Sequence, residues 1–446
     1  MRGGQGPQRL TDFSPVTSQP PLSSPDTPAR APGDAPLLAP FRGLRPIQSA
    51  AAGIIAPPYD VMTTDEARAL AQGRDYCFLK VSRPEITMPA GSDPHSVDAY
   101  AAARAALRRM IEAGVLIRDE VPAYYVYRIA DGEHVQTGLA AAAPVAAYET
   151  GFIKRHEFTR PDRELDRAHQ IDAVNAQTGP VLAIHRRAPA FEALLEAATH
   201  AAPDCDVTVD GVRHTVWAVT DPETVAAISA AAEALDALYI ADGHHRSAAA
   251  ARVAAMRREA NPNHRGDEPY NAFLVITFPD DQVRVLDYNR VVYDLNGLTP
   301  EAFLTQVGEA FEVAPSDGPA RPARVHEFGL YVAGSWYRLT LKTPPPDDAD
   351  VLARLDVTLL AEHILGPILG IGDPREDMRV DFVGGARGLD WLQHLVDNGP
   401  MVAAFALYPT QVSTLLEVAD AGGIMPPKST WFEPKLADGL ISYPLD

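Results

Sequence analysis

Two stretches in which apolar residues alternate around an Asp-Gly pair limit the folding options of this chain more than any other feature. One is DVTVDGVRHTVWAVTD (206–221), centred on Asp210-Gly211; the other is VPAYYVYRIADGEHVQTGLAAAAPV (121–145), turning at Asp131-Gly132. Asp-Gly supplies the positive φ that a tight hairpin turn demands, so each stretch reads as two antiparallel strands. Helical spacing takes over elsewhere. SVDAYAAARAALRRMIEAGVLI (96–117) carries an apolar face and stops at Gly114, and PETVAAISAAAEALDAL (222–238) is a second helix. The short apolar strand LYIA (238–241) follows, then a helix from about His245 to Glu259. NAFLVITF (271–278) and QVRVLDYNRVV (282–292) read as strands paired with each other. Further strands are expected at 329–342 and 401–408, and helices at 300–311, 354–369, 386–396 and 410–420. Hairpins mixed with helices predict an α+β fold of mixed sheets with flanking helices, not a wholly parallel doubly wound sheet.

The chain has 446 residues, enough for two or three domains. Residues 1–36 are rich in Pro, Gly, Ser and Thr and poor in large apolar side chains. They cannot bury enough surface to offset chain entropy and read as a disordered tail. An α+β ligand-binding region is expected over 37–345. The proline-rich KTPPPDDADV (342–351) marks its end, and a C-terminal α/β part over 346–446 closes the site. Lys and Arg number 39 against 59 Asp and Glu, a net charge of −20. Such acidity disfavours nucleic acid and anionic membrane surfaces unless positive charge is gathered locally. The two cysteines, Cys77 and Cys205, are too few for a disulfide framework, which points to a cytoplasmic location. No apolar run approaches the roughly 18–20 residues of a membrane span, and MRGGQGPQRL has no apolar core of a secretory signal.

Four segments concentrate polar residues, glycine and proline beyond what packing requires. In ALYIADGHHRSAAAARVAAMRRE (237–259), a strand ends, Asp242-Gly243 turns the chain, and His244, His245, Arg246 and Ser247 open an alanine-rich helix. The unpaired amides of a first helical turn favour anions, Arg246 adds a fork suited to phosphate, and the histidines add donors or a proton shuttle. Asp242 is placed to act as a base or beside a metal ion. The competing reading is a capped helix with solvent-facing polar residues. TGFIKRHEFTRPDRELDRAHQ (150–170) gathers Lys154, Arg155, His156 and Arg160, with Glu157 as an acid–base candidate. Its RPDRELDR portion also fits a solvated helix face of ion pairs. IIAPPYDVMT (54–63) is a stiff loop presenting Tyr59 and Asp60, or equally a structural turn. GGIMPPKSTWFEPKLADGLI (422–441) carries Lys428, Ser429, Thr430, Trp431 and Lys435, as a ligand-contacting loop or a packed C-terminal arm. P-loop, zincin, zinc-ribbon and nucleophile-elbow motifs are absent.

APPYDV (56–61), FIKRHEFTRPDRELDR (152–167), ADGHHRSAAA (241–250) and MPPKSTWFEPKL (425–436) resemble the signatures of the prokaryotic domain-of-unknown-function family numbered 1015. Through DGHHR that family resembles the ParB/sulfiredoxin type of nucleotide-binding domain, which includes a free serine kinase. The resemblance implies a nucleotide-binding core in which Gly243, His244, His245 and Arg246 cradle phosphate and Asp242 is a catalytic or metal-linked carboxylate. It also implies a link to serine metabolism. Two departures narrow it: the chain has no basic helix-turn-helix segment for DNA partitioning, and His244 stands where sulfiredoxin has its reactive cysteine. The expectation is therefore a phosphotransfer enzyme acting on a small hydroxylated metabolite, serine or phosphoserine, in the kinase or phosphatase direction. Its expected partners are a small phosphorylated metabolite or a nucleotide, with Mg²⁺ as a cofactor beside the carboxylates. The alternative is a nucleotide-binding, ParB-like regulatory protein without turnover.

Overall fold

A computed structural model describes residues 35–374 and 376–446. The tail expected over 1–36 lies outside the described residues except for its last two positions. The chain is α+β, as its hairpins and helical patterns predict, and divides into two compact units. The first comprises the chain up to Arg155, then Thr159–Gln282 and Pro434–Asp446; the second comprises His156–Phe158 and Val283–Glu433. The boundary expected near 345 therefore falls inside the second unit. The stretch from Pro434 belongs to the first unit because its backbone pairs there: Ala56 bridges Asp438, and Tyr443–Pro444 pairs with Ala176–Gln177.

The first unit is built on eight strands, β1 (Tyr124–Asp131), β2 (His134–Pro144), β3 (Ile153–Lys154), β4 (Val181–His185), β5 (Cys205–Val209), β6 (Val212–Val219), β7 (Leu238–Asp242) and β8 (Ala272–Pro279). They lie side by side in the order β3-β7-β4-β8-β2-β1-β6-β5. Both hairpins form. Val209 pairs with Val212, and Asp210 and Gly211 take φ of 50° and 84°, the two positive values of a type I′ turn. Helices α1 (Val97–Glu112), α2 (Pro161–Val174), α3 (Pro189–Ala198), α4 (Pro222–Ala232) and α5 (His244–Ala260) flank the sheet. The Ser96 hydroxyl caps α1 by accepting from the Ala99 amide, and Ala99, Tyr100, Ala103, Leu107 and Met110 form its buried face. Leu139, Phe191, Trp217, Ile228, Ile240 and Phe273 belong to the main core of this unit.

The main sheet of the second unit has six strands, β9 (Tyr288–Val292), β10 (Phe311–Ser316), β11 (Glu327–Val332), β12 (Ser335–Leu341), β13 (Val380–Gly384) and β14 (Ala403–Ala406), ordered β10-β12-β11-β14-β9-β13. Here one expected pairing is corrected. Residues 272–279 pair with β2 and β4, whereas β9 pairs with β13 and β14, and Arg284–Leu286 pairs with Trp431–Glu433. Adjacent apolar stretches share a periodicity, but pairing is decided by long-range partners on a buried face. Among the described residues no helix is long and apolar enough to cross a membrane.

Candidate functional site

The strand β7 is buried along its length and runs parallel to β3 and antiparallel to β4, with its register shifting between Ile240 and Asp242. Asp242 stays in the ladder beyond the shift, opposite Leu182, at the end of the strand. Gly243 then takes φ 97° and ψ 27°. A side chain there would place its Cβ 3.2 Å from the Arg246 guanidinium carbon and 3.3 Å from the Val181 Cα, so glycine is required twice over. Helix α5 starts without a side-chain cap, and the amides of Arg246 and Ser247 donate to the Gly243 carbonyl at 2.9 and 3.0 Å.

Arg246 is buried and folds back over this turn. It donates to the Pro180 carbonyl and, at 3.0 Å, to Asp242, while Asp60 lies 3.8 Å from the same nitrogen. Lys435 stands 3.9 Å from Asp242. Burial alone would raise the pKa of Asp242, but Lys435, Arg246 and His244 outweigh it and hold the carboxyl well below the usual range. The neighbouring Asp438 behaves oppositely. It is 1% exposed, its Oδ2 has no hydrogen-bond partner among the described residues, and burial pushes it up to about 7. Asp60 reinforces that rise; Arg246, Ser82 and Arg167 oppose it.

Helix α2 adds a second guanidinium. Arg167 lies 4.3 Å from the centre of the Tyr59 ring and is paired with Asp166, whose carboxylate also accepts from Tyr100 at 2.8 Å and contacts His95 at 2.5 Å. Burial pushes the Tyr59 hydroxyl up to about 12, opposed by Arg167. Tyr59, Arg167, Gln170, Thr178, Arg246 and Asp438 line a narrow cleft. The cleft thus sets the buried Arg246 and the partly exposed Arg167 beside the carboxyl of Asp438, a lining suited to a small polar, charged molecule.

The residues singled out in the sequence are distributed as follows. Tyr59, Asp60, Asp242, Gly243 and Arg246 gather at this cleft or its wall. His245 Nε2 accepts from the Arg160 amide at 3.0 Å, which ties the basic segment to the start of α5. The Arg160 guanidinium itself is exposed and paired with Asp162. His244 and Ser247 are buried, with the Ser247 hydroxyl donating to the His244 carbonyl. Lys154 lies over the Tyr239 ring, and Arg155 is buried against Tyr148. His156 and Glu157 belong to the second unit, where the Met425 amide donates to the His156 carbonyl at 2.8 Å. Lys428, Ser429 and Thr430 also belong there. Lys428 has φ 60° and lies 5.7 Å from the centre of the Tyr288 ring, and Ser429 donates to the Pro426 carbonyl.

Sequence reasoning missed Asp438 and undervalued Arg167. Arg167 sits in a run that also reads as a solvated ion-pair face. Asp438 precedes Gly439, and the pair looks like an ordinary turn; the signal is that Gly439 has φ 83° and its Cβ position falls 2.6 Å from Phe78. As for Mg²⁺, no group of three or more His, Cys, Asp or Glu among the described residues is arranged to hold a metal ion. Asp242 faces Arg246 and Lys435 instead of an open ligand set, so the residues do not fit the expected ion.

Fold and cleft together define an α+β protein with a charged, largely buried binding recess. Residues 38–358 match the family described as protein of unknown function (DUF1015), and the chain belongs to that family. The motif at 425–436 lies beyond the matched span. None of the curated proteins matches the sequence. Among solved structures, a free serine kinase in complex with AMP is similar at 12% identity and a TM-score of 0.33, covering 66% of this chain and 86% of that one. SbnI with a C-terminal truncation from Staphylococcus aureus is similar at 11% and 0.34, covering 67% and 85%. A conserved hypothetical protein from Pyrococcus furiosus is similar at 11% and 0.32, covering 69% and 96%. Likenesses this distant assign no ligand or activity to the chain.

Proposed function

We propose that this protein is a phosphotransfer enzyme acting on a small hydroxylated metabolite of the serine or phosphoserine kind. The observation that carries the reading is the cleft lined by Arg246, which is buried, by Arg167, which is partly exposed, and by Asp438, with Asp60 and Asp242 paired to Arg246. Transfer of a phosphoryl group needs concentrated positive charge around the transferred oxygens and a carboxylate near the hydroxyl. A zwitterionic amino acid adds an anionic carboxylate for a guanidinium and an ammonium group for an aspartate. Gly243 and the uncapped start of α5 supply the close backbone approach that a phosphate or nucleotide uses, in the manner of a ParB-like core.

A second reading, a nucleotide-binding regulatory protein without turnover, is favoured by the commitment of Arg246 to Pro180 and Asp242, which leaves the guanidinium already engaged. The deciding experiment follows phosphate release from phosphoserine, and phosphoserine formation from serine with ATP, ADP or pyrophosphate. Arg246→Ala and Asp242→Asn are run beside the wild type. Turnover that both substitutions depress supports the enzyme; inert substrates with nucleotide still bound support the regulator.

A further inference from the structure

We infer that Asp438 is the group that exchanges the substrate's hydroxyl proton in this cleft, an assignment that rests on the phosphotransfer reading above. Three independent features of its setting carry it. First, Asp438 is almost wholly enclosed, yet Oδ2 has no hydrogen-bond partner among the described residues. A buried polar atom left open costs about 1–3 kcal/mol, a cost that a substrate hydroxyl would remove.

Second, the position is held rigidly. The Asp438 amide donates to the Ala56 carbonyl at 2.9 Å, the Ala56 amide donates back at 3.2 Å, and the next residue, Gly439, packs with positive φ against Phe78. A fixed carboxyl is what proton transfer at a defined atom needs.

Third, Asp438 differs from the other carboxyls around the cleft in its partners. Asp60, Asp166 and Asp242 each lie within ion-pair distance of Arg246, Arg167 or Lys435, whereas among the described residues Asp438 lines the cleft without such a pair. Asp242 accepts from Arg246 and faces Lys435, and Asp166 is tied to Arg167, Tyr100 and His95, so both stay ionised and are weak bases. Asp438 is the deepest of the four and is faced by Arg246 from α5, Arg167 from α2, and Tyr59 and Asp60 from the 54–63 loop, with Ser82 beside them. Its folded pKa near 7 agrees with that geometry, close to where an acid–base group works in both directions.

In the forward direction the substrate O–H bond breaks and its proton goes to Asp438 Oδ2. The freed oxygen bonds to the terminal phosphorus of a nucleoside polyphosphate or pyrophosphate donor. The phosphorus bond to the donor's bridging oxygen breaks, and the electron pair leaves with the shortened donor. In the hydrolytic direction water bonds to the phosphorus of the phosphate ester, the bond from phosphorus to the ester oxygen breaks, and protonated Asp438 gives its proton to that oxygen; one proton of the former water, now on the released phosphate, returns to Asp438.

The test is kcat and the pH–rate profile of wild type and Asp438→Asn, with serine and nucleotide affinities measured separately. The expected result is a kcat lowered about 10²–10⁴-fold with both affinities within about threefold, and loss of the wild-type limb near pH 7. Infrared spectra of the wild type give a second readout that survives poor folding of the variant. A protonated-carboxyl stretch should be present at pH 5 and gone by pH 9, and Ser82→Ala should move its midpoint upward. A wild type that turns over while Asp438→Asn keeps both its rate and its limb overturns this assignment alone. A wild type inert on every phosphoryl donor and ester overturns the phosphotransfer reading and this role with it.

Discussion

Asp242 ends a buried strand and Arg246 sits in the first turn of the helix that follows, and the two meet at 3.0 Å across the intervening glycine turn. The pair joins strand to helix across the turn. It also fixes the charge of the cleft wall: the guanidinium keeps Asp242 ionised and is itself held charged by Asp242, Asp60 and Tyr59 despite its burial.

Breaking the pair should therefore be expensive. Arg246→Ala leaves Asp242 with only Lys435 and His244 to offset its charge and is expected to cost about 1–3 kcal/mol in urea unfolding at pH 7. The pH dependence has a defined sign. The folded pKa of Asp242 is depressed, so its stabilisation is complete above its unfolded pKa of about 4 and is lost as pH falls below that value. Asp242→Asn should flatten that acid limb and leave the alkaline side alone.

Asp438 predicts the reverse trend. Its folded pKa of about 7 lies above the ordinary aspartate value, so the unfolded chain ionises first as pH rises and the folded state loses stability between about pH 4 and 7. Asp438→Asn should match the wild type near pH 4 and exceed it by up to about 4 kcal/mol at pH 8. Chemical denaturation at the two pH values measures this. A residue that destabilises its own fold at neutral pH is what a functional group in a buried cleft looks like.

The glycine turn gives a steric prediction. Gly243→Ala must hold φ near 97° and push its methyl against Arg246 and Val181. The expected loss is about 1–3 kcal/mol, read as a lowered thermal midpoint, together with weakened ligand binding as Arg246 is displaced.

Arg160 supplies a contrast within the same basic segment. Its guanidinium is exposed and paired only with the exposed Asp162, so Arg160→Ala should change unfolding free energy by no more than about 0.5 kcal/mol. His245 receives the Arg160 backbone amide, which the alanine variant retains, so the link to α5 should survive. Hydrogen exchange at the Arg160 amide checks the second point.

Local chemistry was the legible part. The type I′ turn at Asp210-Gly211 and the strand–glycine–helix of 238–260 are written in a few adjacent residues, each with its own physical signal. The pairing of β9 with β13 and β14 was not, because its partners come from residues 380–406 and the pattern of 288–292 serves any neighbour. The site divides along the same line. Asp242, Gly243, Arg246, Tyr59 and Asp60 announce themselves by motif, whereas Asp438 acquires its character only from burial beside groups far away in sequence. Arg167 looks like one more surface ion pair until Tyr59 is brought over its guanidinium.

The central claim is that a small phosphorylated metabolite sits in the cleft between Tyr59, Arg167, Arg246 and Asp438. Calorimetric titration of phosphoserine into wild type and Arg167→Lys tests it most directly, since lysine keeps the charge and loses the planar fork and the ring contact. One site is expected in the wild type, with an affinity lowered about tenfold or more in the variant, about 1.4 kcal/mol. Equal affinities in the two proteins, or no binding of phosphoserine to the wild type, would contradict it.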